Sequence, residues 1–358
     1  MNARANLVAE RKPLRDGVTE SVTLSVIIPT YNARELLADC LQSIYRNPPS
    51  ESYEIIVVDD ASADGTSEMV CAHFPEVRLF RNDVNRHYAR SNNWAIGRAR
   101  GQYIYLLNND TVVLRQAIDR MLAFLREHPV AGAVGSRLLS GDGTVQWSVK
   151  SLPSPGSALF GARSIIGRMF PNNRHSRKHL LHMGRNLNHP FIAGYVSSAS
   201  IMIPRKVVEE VGELDQRLSY HVDADYCKRI ADAGYNCYYL PTATVIHFDH
   251  KGGTMVSLRR RFRSLFEFHL GSYIFYRKHI QQSPWSPMQI IVVVGLFSRF
   301  LVSLAAQTVA EVRDIGPLSR LKRSAGAAVS RCEEQGAAQH GGQHYSRPQR
   351  RNRPPIAD

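Results

Sequence analysis

Residues 53–66 read YEIIVVDDASADGT, a continuous apolar run that stops in two aspartates followed by a turn. Continuous runs rich in Val and Ile are typical of strands that are buried on both faces, as in a parallel sheet. Three similar runs occur nearby, and they are VTLSVII at 22–28, EVRLFRN at 76–82 and YIYLL at 103–107. Together, the four segments predict the first four strands of the fold.

Helical patterns separate these predicted strands. Apolar residues recur at three- and four-residue steps in ARELLADCLQSI at 33–44, and ARSNNWAIGRARG at 89–101 predicts a helix that ends near Gly101. Strands that alternate with helices in this way indicate parallel βαβ units with right-handed crossovers. The predicted fold class is therefore α/β, with a mostly parallel sheet flanked by helices.

Polar groups directly follow three of the predicted strands. They are Thr30-Tyr31-Asn32 after the first strand, Asp59-Asp60 after the second, and Asn108-Asn109-Asp110 after the fourth. Each group alone is compatible with a turn, because Asn and Asp favour turns. Ligands of open parallel sheets bind beyond the carboxyl ends of the strands, so three such groups together predict a binding site. The sequence has neither GxGxxG after its first strand nor GxxxxGK[ST], which argues against a dinucleotide fingerprint and a P-loop.

Further along, the pattern changes and then returns to strands and helices. Residues 150–190 mix Pro, Gly, Asn, Arg and His with short apolar pieces, which predicts a long loop region. FIAGYVSSASIMIPRKVVEEVG at 191–212 predicts a strand, a turn at Pro204 and a short helix. DADYCKRIADAG at 223–234 predicts a second helix, and the residues from 235 to 253 predict one or two strands.

Several of these segments, taken in order, resemble the inverting family 2 glycosyltransferases, which have a GT-A (Rossmann-like) fold. The segments are SVIIPTYNARELLADCLQSI at 25–44, YEIIVVDDASADGT at 53–66, NRHYARSNNWAI at 85–96 and YIYLLNNDTVV at 103–113. The similarity continues through GELDQRLSYHVDADYCKRIADAGY at 212–235 and LPTATVIHFDHKGG at 240–253. It is closest to the rhamnosyltransferase-like branch, in which Asn-x-Asp often replaces the usual Asp-x-Asp. The basic and hydrophobic part that follows is weakly matched.

The resemblance implies a site for a nucleoside diphosphate sugar. In this interpretation Asp60 accepts hydrogen bonds from the nucleobase, and Asp59 supports the loop that carries it. Arg90 faces a phosphate or pairs with a carboxylate at a strand end, and both alternatives stay open. The complete set of implied nucleotide-binding residues is Pro29, Thr30, Tyr31, Asn32, Asp59, Asp60, Arg90, Asn108 and Asn109.

The resemblance also implies a divalent cation, Mg²⁺ or Mn²⁺. Asp110 is the expected metal ligand, Asn108 occupies the first position of the Asp-x-Asp pattern, and Asn109 shapes the turn. Hard cations prefer oxygen ligands and keep several waters, so one carboxylate and the diphosphate oxygens suffice in principle. His247 falls where the family often has a histidine after its last core strand, as a metal or phosphate ligand or as a structural residue.

For the catalytic base, the resemblance implies Asp223, which would take the proton from the acceptor hydroxyl. Asp225 is the alternative base, and capping of the following helix is an alternative role for both residues. Two departures from the family pattern accompany this assignment. Val222 replaces the family glutamate before Asp223, and His87 stands where relatives have glycine.

Basic charge and a long apolar run predict contact with a membrane. The chain has 45 Lys and Arg against 31 Asp and Glu, a net charge of +14, which favours an anionic partner. The segment from Lys251 to His279 contains seven Lys or Arg residues and one acidic residue. A long apolar run, MQIIVVVGLFSRFLVSLAAQTVA, follows at 288–310. Because Arg299 and Gln307 interrupt this run, an amphipathic helix in the membrane plane fits better than a span, although a single span and a buried helix stay open.

These observations predict five regions. They are an N-terminal tail at 1–21, a nucleotide-sugar-binding half at 22–115, an acceptor and catalytic half at 116–255, membrane-associating helices at 256–310, and a disordered basic tail at 311–358. The first twenty residues lack the apolar core of a secretory signal, and the five cysteines show no CxxC spacing. A cytoplasmic protein, peripheral on the inner face of the cell membrane, is therefore expected.

The predicted function is metal-dependent transfer of a sugar, rhamnose in the branch resembled, from a nucleoside diphosphate to a glycan or lipid-linked acceptor. A noncatalytic nucleotide-binding scaffold at the membrane is one alternative, which Val222 favours. Binding of nucleic acid or another anionic surface through the arginine-rich segment is a second alternative. Since no recognised nucleic-acid module is apparent, no specific nucleic-acid partner is expected.

Overall fold

A computed structural model describes residues 21–154, 186–249, 258–281, 283 and 285–315, with side chains described except at 258–261 and 306–315. Most of each predicted tail and most of the predicted loop at 150–190 lie outside these ranges, whereas residues 311–315, placed in the C-terminal tail by the sequence, belong to a helix. The chain divides into two compact units, Met1–Phe300 and Leu301–Asp358. The sheet and all the predicted site residues belong to the first unit.

The described residues form eleven strands and eight helices. The strands are β1 (Leu24–Thr30), β2 (Tyr53–Asp59), β3 (Arg78–Arg81), β4 (Tyr103–Leu107), β5 (Thr111–Val113), β6 (Ala131–Leu139), β7 (Val149–Lys150), β8 (Phe191–Ala193), β9 (Tyr195–Val196), β10 (Ser200–Pro204) and β11 (Asn236–His247). The helices are α1 (Arg34–Arg46), α2 (Thr66–His73), α3 (His87–Ile96), α4 (Ala117–Glu127), α5 (Arg205–Val211), α6 (Val222–Asp232), α7 (Leu258–His279) and α8 (Pro287–Ile315).

One large sheet has the strand order β3-β2-β1-β4-β10-β6-β11-β5, and β8 pairs with β11. The first four strands are mutually parallel, and β11 runs parallel to β6. β10 is antiparallel to both of its neighbours, while β5 and β8 are antiparallel to β11. The predicted class, α/β with a mostly parallel sheet flanked by helices, is confirmed.

Alternate residues of the central strands enter two separate cores, one on each face of the sheet. In β2, Ile55 and Val57 join the core under α1 and α4, whereas Ile56 and Val58 join the core under α3, α5 and α6. Burying one such side chain contributes about 1.5–3 kcal/mol to folding. Burial on both faces explains why these strands appear in the sequence as continuous apolar runs.

The described part of the predicted basic segment forms α7, and its described basic side chains are engaged within the chain. Arg263 pairs with Glu267 at 2.7 Å, and Lys278 pairs with Asp215 at 3.0 Å. Arg277 donates to the carbonyl oxygen of Ser283. The other basic residues of this segment, Lys251, Arg259, Arg260 and Arg261, lie outside the described side chains.

α8 directs polar side chains toward α7 and apolar ones outward. The Arg299 guanidinium lies 5.7 Å from the ring centre of Phe268, and Gln289 donates to the hydroxyl of Tyr273. Ile290 is 68% exposed and Phe297 is 61% exposed. Among the described helices, only the segment Pro287–Ala305 of α8 is long and apolar enough to cross a membrane, and none of it is buried.

One predicted helix ends earlier than expected. α3 stops at Ile96, and Gly97 caps it, whereas Gly101 lies against β1 and donates its N–H to the hydroxyl of Ser25. A Cβ atom on Gly101 would lie 2.4 Å from the backbone nitrogen of Ser25. Gly101 therefore serves the close approach of two backbones before β4, and it does not end a helix.

This close approach predicts that alanine substitutions at two glycines, four residues apart, have very different effects on the free energy of unfolding. We expect Gly101→Ala to destabilise the fold by about 1–3 kcal/mol, because the clashing atoms belong to the backbone of β1. Gly97→Ala is the matched control, since its Cβ would meet no atom closer than 3.7 Å. Urea unfolding followed by circular dichroism measures both changes. Equal unfolding midpoints for the two variants would contradict the close-approach explanation.

Candidate active site

Thr30, at the end of β1, links the three polar groups predicted at the strand ends. Its carbonyl oxygen accepts a hydrogen bond from the backbone N–H of Asp60 at 2.9 Å. Its hydroxyl accepts one from the side-chain amide of Asn109, also at 2.9 Å. β1 lies between β2 and β4 and parallel to both, so the three strand ends meet at one edge of the sheet.

Asp59 is fully buried and holds the turn that leads into α2. One carboxylate oxygen accepts from the backbone N–H of Ser62 at 2.9 Å, and the other accepts from the hydroxyl of Ser67. Both donors follow Asp59 in the chain, so the carboxylate closes its own loop. The support of a nucleotide-binding loop by Asp59 stays a prediction.

The Asp60 carboxylate is held from three directions at the same edge. It accepts hydrogen bonds from the Asn82 amide at 2.6 Å, from the Ser91 hydroxyl at 2.7 Å and from the backbone N–H of Arg86. Burial raises the pKa of the Asp60 carboxyl above its ordinary value, and these hydrogen bonds oppose the shift. The carboxylate is therefore fixed in place, with only 4% of the residue exposed.

Three non-glycine residues near these strand ends have left-handed backbones. The φ angles are 47° for Asn32, 63° for Ala61 and 66° for His87. Such conformations are costly for residues other than glycine, and they cluster at functional sites. The left-handed backbone also explains why glycine suits the family position that His87 occupies here.

The other predicted nucleotide residues differ in their surroundings. Pro29 is half-buried, whereas Tyr31 is 42% exposed beside Asn32. Arg90 is exposed on α3 and forms no ion pair with any residue in the described ranges, so the structure does not bring it to the strand-end carboxylates. The backbone of Asn108 donates to the carbonyl oxygen of Ala199 at 3.0 Å.

Asp110 and His247, the two predicted metal ligands, lie together. The His247 Nε2 atom is 3.3 Å from an Asp110 carboxylate oxygen, and both side chains are about nine-tenths buried, with 11% and 12% exposed. The backbone pairing of β5 with β11 produces this contact, because Thr111 pairs with His247 and Phe248 donates to the Asp110 carbonyl.

The chemistry of this pair fits a divalent cation of the Mg²⁺ or Mn²⁺ type. A carboxylate oxygen and an imidazole nitrogen are both common ligands of Mn²⁺, and such ions complete their coordination with phosphate and water. Within the described residues there is no cluster of three or more His, Cys, Asp or Glu residues that could hold a metal. A cation bound here would therefore need ligands from the diphosphate or from water.

Asp223 lies in the first turn of α6, beside the loop that precedes β10. Its carboxylate accepts from its neighbour Ala224 at 2.9 Å and from the backbone N–H of Ser198. The Ser198 carbonyl in turn accepts from the hydroxyl of Tyr88 at 3.0 Å. Burial raises the pKa of the Asp223 carboxyl above its ordinary value, and the positive charge of Lys150 opposes that shift.

Asp225, the alternative base, has different surroundings. It is 0% exposed and pairs with three basic side chains, namely Arg229 at 3.0 Å, Lys278 at 2.8 Å and His279 at 2.7 Å. Two of these residues belong to α7. Asp225 thus joins α6 to α7 and has no access to solvent, which favours a structural role. Neither Asp223 nor Asp225 occupies the N-cap, which is His221.

The residues from 197 to 199 connect the strand-end site to Asp223. Ala199 accepts from the backbone of Asn108, and Ser198 contacts both Asp223 and Tyr88. No pattern in the sequence indicates this connection, because the contacts of Ser198 use its backbone. Gln146 was also missed, although it makes two hydrogen bonds with His247.

Comparison with known proteins gives one family match. The model of the family described as glycosyl transferase family 2 matches residues 25–212, more than half of the chain. The N-acetylglucosaminyl-diphospho-decaprenol L-rhamnosyltransferase of Mycobacterium tuberculosis is 26% identical over 236 residues, which are 63% of this chain and 75% of that protein. The protein y4gI of Sinorhizobium fredii is 25% identical over 244 residues, which are 63% of this chain but only 24% of y4gI.

Two solved structures share the fold at low sequence identity. The mannosyltransferase PcManGT from Pyrobaculum calidifontis, in complex with GDP-Man and Mn²⁺, has a TM-score of 0.50 and 20% identity over 87% of this chain and 81% of its own. GalNAc-T7 with UDP, GalNAc and Mn²⁺ has a TM-score of 0.51 and 15% identity over 81% of this chain and 58% of its own. The family match and the shared architecture together lead to one conclusion: the chain belongs to glycosyl transferase family 2 and has the GT-A fold.

Proposed function

We propose that this glycosyltransferase moves a sugar from a nucleoside diphosphate to a glycan or lipid-linked acceptor, with inversion and with the help of a divalent cation. The observation that carries the proposal is the convergence of Asp110 and His247, 3.3 Å apart, at the sheet edge where Asp60 follows the last residue of β2. A carboxylate that can bind the nucleobase and a pair that can bind a cation are thus close in the fold.

The chain's own residues divide the work of binding the donor. Asp60 is held so that its carboxylate can accept hydrogen bonds from the base, and Asp59 keeps the loop closed. Thr30 and Asn109 fix the turns around the ribose and the diphosphate. The side-chain amide of Asn108 makes no hydrogen bond within the described residues, so it is available to the donor.

Asp110 and His247 would hold the cation, which neutralises the charge that develops on the nucleoside diphosphate as the sugar departs. Asp223 takes the proton from the acceptor hydroxyl as that oxygen attacks the anomeric carbon. The hydrogen bond from the Ser198 N–H orients this carboxylate. With Val222 in place of the family glutamate, the backbone N–H groups of Ser198 and Ala224 orient the Asp223 carboxylate.

Rhamnose as the transferred sugar and a lipid-linked acceptor are the finer parts of the proposal. They are supported by the branch resemblance and by the activity for which the Mycobacterium tuberculosis relative is named, transfer of L-rhamnose to N-acetylglucosaminyl-diphospho-decaprenol. A role in cell-envelope polysaccharide synthesis is supported by the same relative and by the similarity, 30% identity over 125 residues, to the glycosyltransferase TuaG of Bacillus subtilis, which is named for teichuronic acid biosynthesis.

We further propose that α8 attaches the enzyme to the inner face of the membrane from the cytoplasm. An apolar helical segment of 19 residues is about 28 Å long, close to the thickness of the hydrocarbon core. Because Arg299 points to Phe268, the outward surface of α8 is apolar, which suits immersion in the interface or a single span. In this proposal, residues 22–115 bind the donor, residues 116–255 bind the acceptor and carry out catalysis, and residues 256–310 associate with the membrane.

The cation requirement can be tested with a panel of dTDP-, UDP- and GDP-sugars. We expect one donor to release nucleoside diphosphate with Mg²⁺ or Mn²⁺ and not with EDTA. Asp110→Ala should lower kcat/KM by at least about 100-fold, since cation stabilisation is worth several kcal/mol. Asp39→Ala, which removes an exposed carboxylate of α1, is the control. Intact donors throughout, in the presence of cell-envelope lipid, would favour the noncatalytic scaffold.

A pH profile tests the base. We expect Asp223→Asn to lower kcat by about 10²–10⁴-fold, because general-base assistance contributes that much. In the unsubstituted enzyme, kcat/KM should rise with pH through a value above the ordinary aspartate pKa of 3.8, since burial raises the pKa of Asp223 and the base must be ionised. Asp232→Asn, at the exposed end of the same helix, should leave the profile unchanged. A fully active Asp223→Asn enzyme would disprove the assignment.

Vesicle flotation tests the membrane role. Replacing Ile290, Val294 and Phe297 together by Glu should reduce binding to vesicles containing phosphatidylglycerol by more than about tenfold, because each buried apolar side chain is worth about 1.5–3 kcal/mol. The control is the single change Val130→Glu, which alters a comparably exposed apolar residue far from α8 in the sequence. The Val130→Glu protein should bind the vesicles as the unsubstituted enzyme does. Equal flotation of the triple variant and the unsubstituted enzyme would reject attachment through α8.

A further inference from the structure

We infer that Gln146 is a positioning residue that fixes the tautomer of His247, so that a bare Nε2 atom faces Asp110 and the pair can bind a cation. This inference rests on the proposed function only for the use of the cation in sugar transfer. The tautomer itself follows from contacts among this chain's own residues.

Two hydrogen bonds between Gln146 and His247 settle the orientation of the amide. The Gln146 Nε2 atom donates to the backbone carbonyl of His247 at 2.7 Å. An amide nitrogen donates and cannot accept, so this bond determines which end of the side chain is nitrogen. The Gln146 Oε1 atom therefore faces the ring, 2.9 Å from Nδ1 of His247.

The orientation of the amide in turn determines the tautomer of the ring. An amide oxygen only accepts, so the Nδ1 atom of His247 must carry the hydrogen. In a neutral imidazole the other nitrogen then has a free lone pair. That atom, Nε2, lies 3.3 Å from a carboxylate oxygen of Asp110.

Two lone pairs that face each other in this way need a proton or a metal cation between them, and a bound cation takes the place of the proton. Adjacent ligands of an octahedral Mg²⁺ or Mn²⁺ ion lie about 3 Å apart, because each is about 2.1 Å from the ion. The observed separation is close to this value. Metal-binding histidines generally donate their second N–H to a neighbouring oxygen, and loss of that partner weakens metal binding by about 10–100-fold.

The backbone around Gln146 is itself well fixed. Its N–H donates to the carbonyl of Leu138 at 2.9 Å, and Val145 bridges to Leu139, so the turn after β6 folds back on that strand. Ser148 donates to the Gln146 carbonyl at 2.8 Å. Gln146 thus reaches His247 from a backbone with little freedom, as a positioning role requires.

The first test is nitrogen NMR of the histidine ring in ¹⁵N-histidine-labelled full-length protein, at a pH where the ring is neutral. Signals are assigned by their absence from His247→Asn. We expect the hydrogen on Nδ1 in the unsubstituted protein and on Nε2 in Gln146→Met, which has similar length and no hydrogen-bonding oxygen. Gln146→Glu keeps the acceptor and should keep the hydrogen on Nδ1. A hydrogen on Nδ1 in Gln146→Met, or on Nε2 in Gln146→Glu, overturns the inference.

The second test is binding of Mn²⁺ alone, followed by the electron paramagnetic resonance signal of the free ion. We expect Gln146→Met to bind about 10–100-fold more weakly and Gln146→Glu to bind at least as tightly as the unsubstituted protein. Unchanged affinity in Gln146→Met would show that Gln146 only braces the turn. Neither test needs a sugar donor or turnover. If Gln146→Met shifts the tautomer and weakens Mn²⁺ binding but the unsubstituted protein transfers no sugar, the inference stands and only the proposed function is contradicted.

Discussion

Parallel pairing of β1 with both β2 and β4 is the constraint on which the candidate site depends. In a parallel array all strands end at one edge, so whatever follows each strand is brought to the same place. Here those residues are the turns after Thr30, Asp59 and Leu107, and Thr30 bonds to the other two. The buried runs that stabilise the sheet therefore also determine which polar side chains meet.

The second half of the chain reaches that edge by a different route. β10 is antiparallel to β4, and its first residue, Ser200, pairs with Leu107, the last residue of β4. The loop before β10 must therefore lie at the carboxyl edge, next to Asn108. β11 ends there as well, because its last residue pairs with Thr111. The antiparallel direction of β10 thus brings residues 197–199 to the edge where the first four strands end.

Much of this arrangement was predictable from the sequence, because it depends on local pattern. Burial on both faces gives continuous apolar runs, and strand ends give the clustered Asp and Asn residues. The resemblance added Asp223 and His247, which no local pattern singles out. The bonds that Gln146 and Ser198 make were not predictable, since they join residues far apart in sequence and, for Ser198, involve only the backbone. The early end of α3 was missed because a glycine after a helical pattern usually marks the end of the helix. Gly101 instead allows the backbone to pass close to β1.

The connection through residues 197–199 has an implication for how such a chain can change during evolution. Ser198 and Ala199 contact Asp223, Tyr88 and Asn108 through backbone N–H and C=O groups, which every residue except proline carries. Substitution of these side chains leaves the bonds intact, whereas inserting or deleting one residue moves every donor and acceptor out of place. The two halves of the enzyme are therefore coupled by loop length more than by residue identity. Homologous chains can differ here in sequence while keeping the same number of residues.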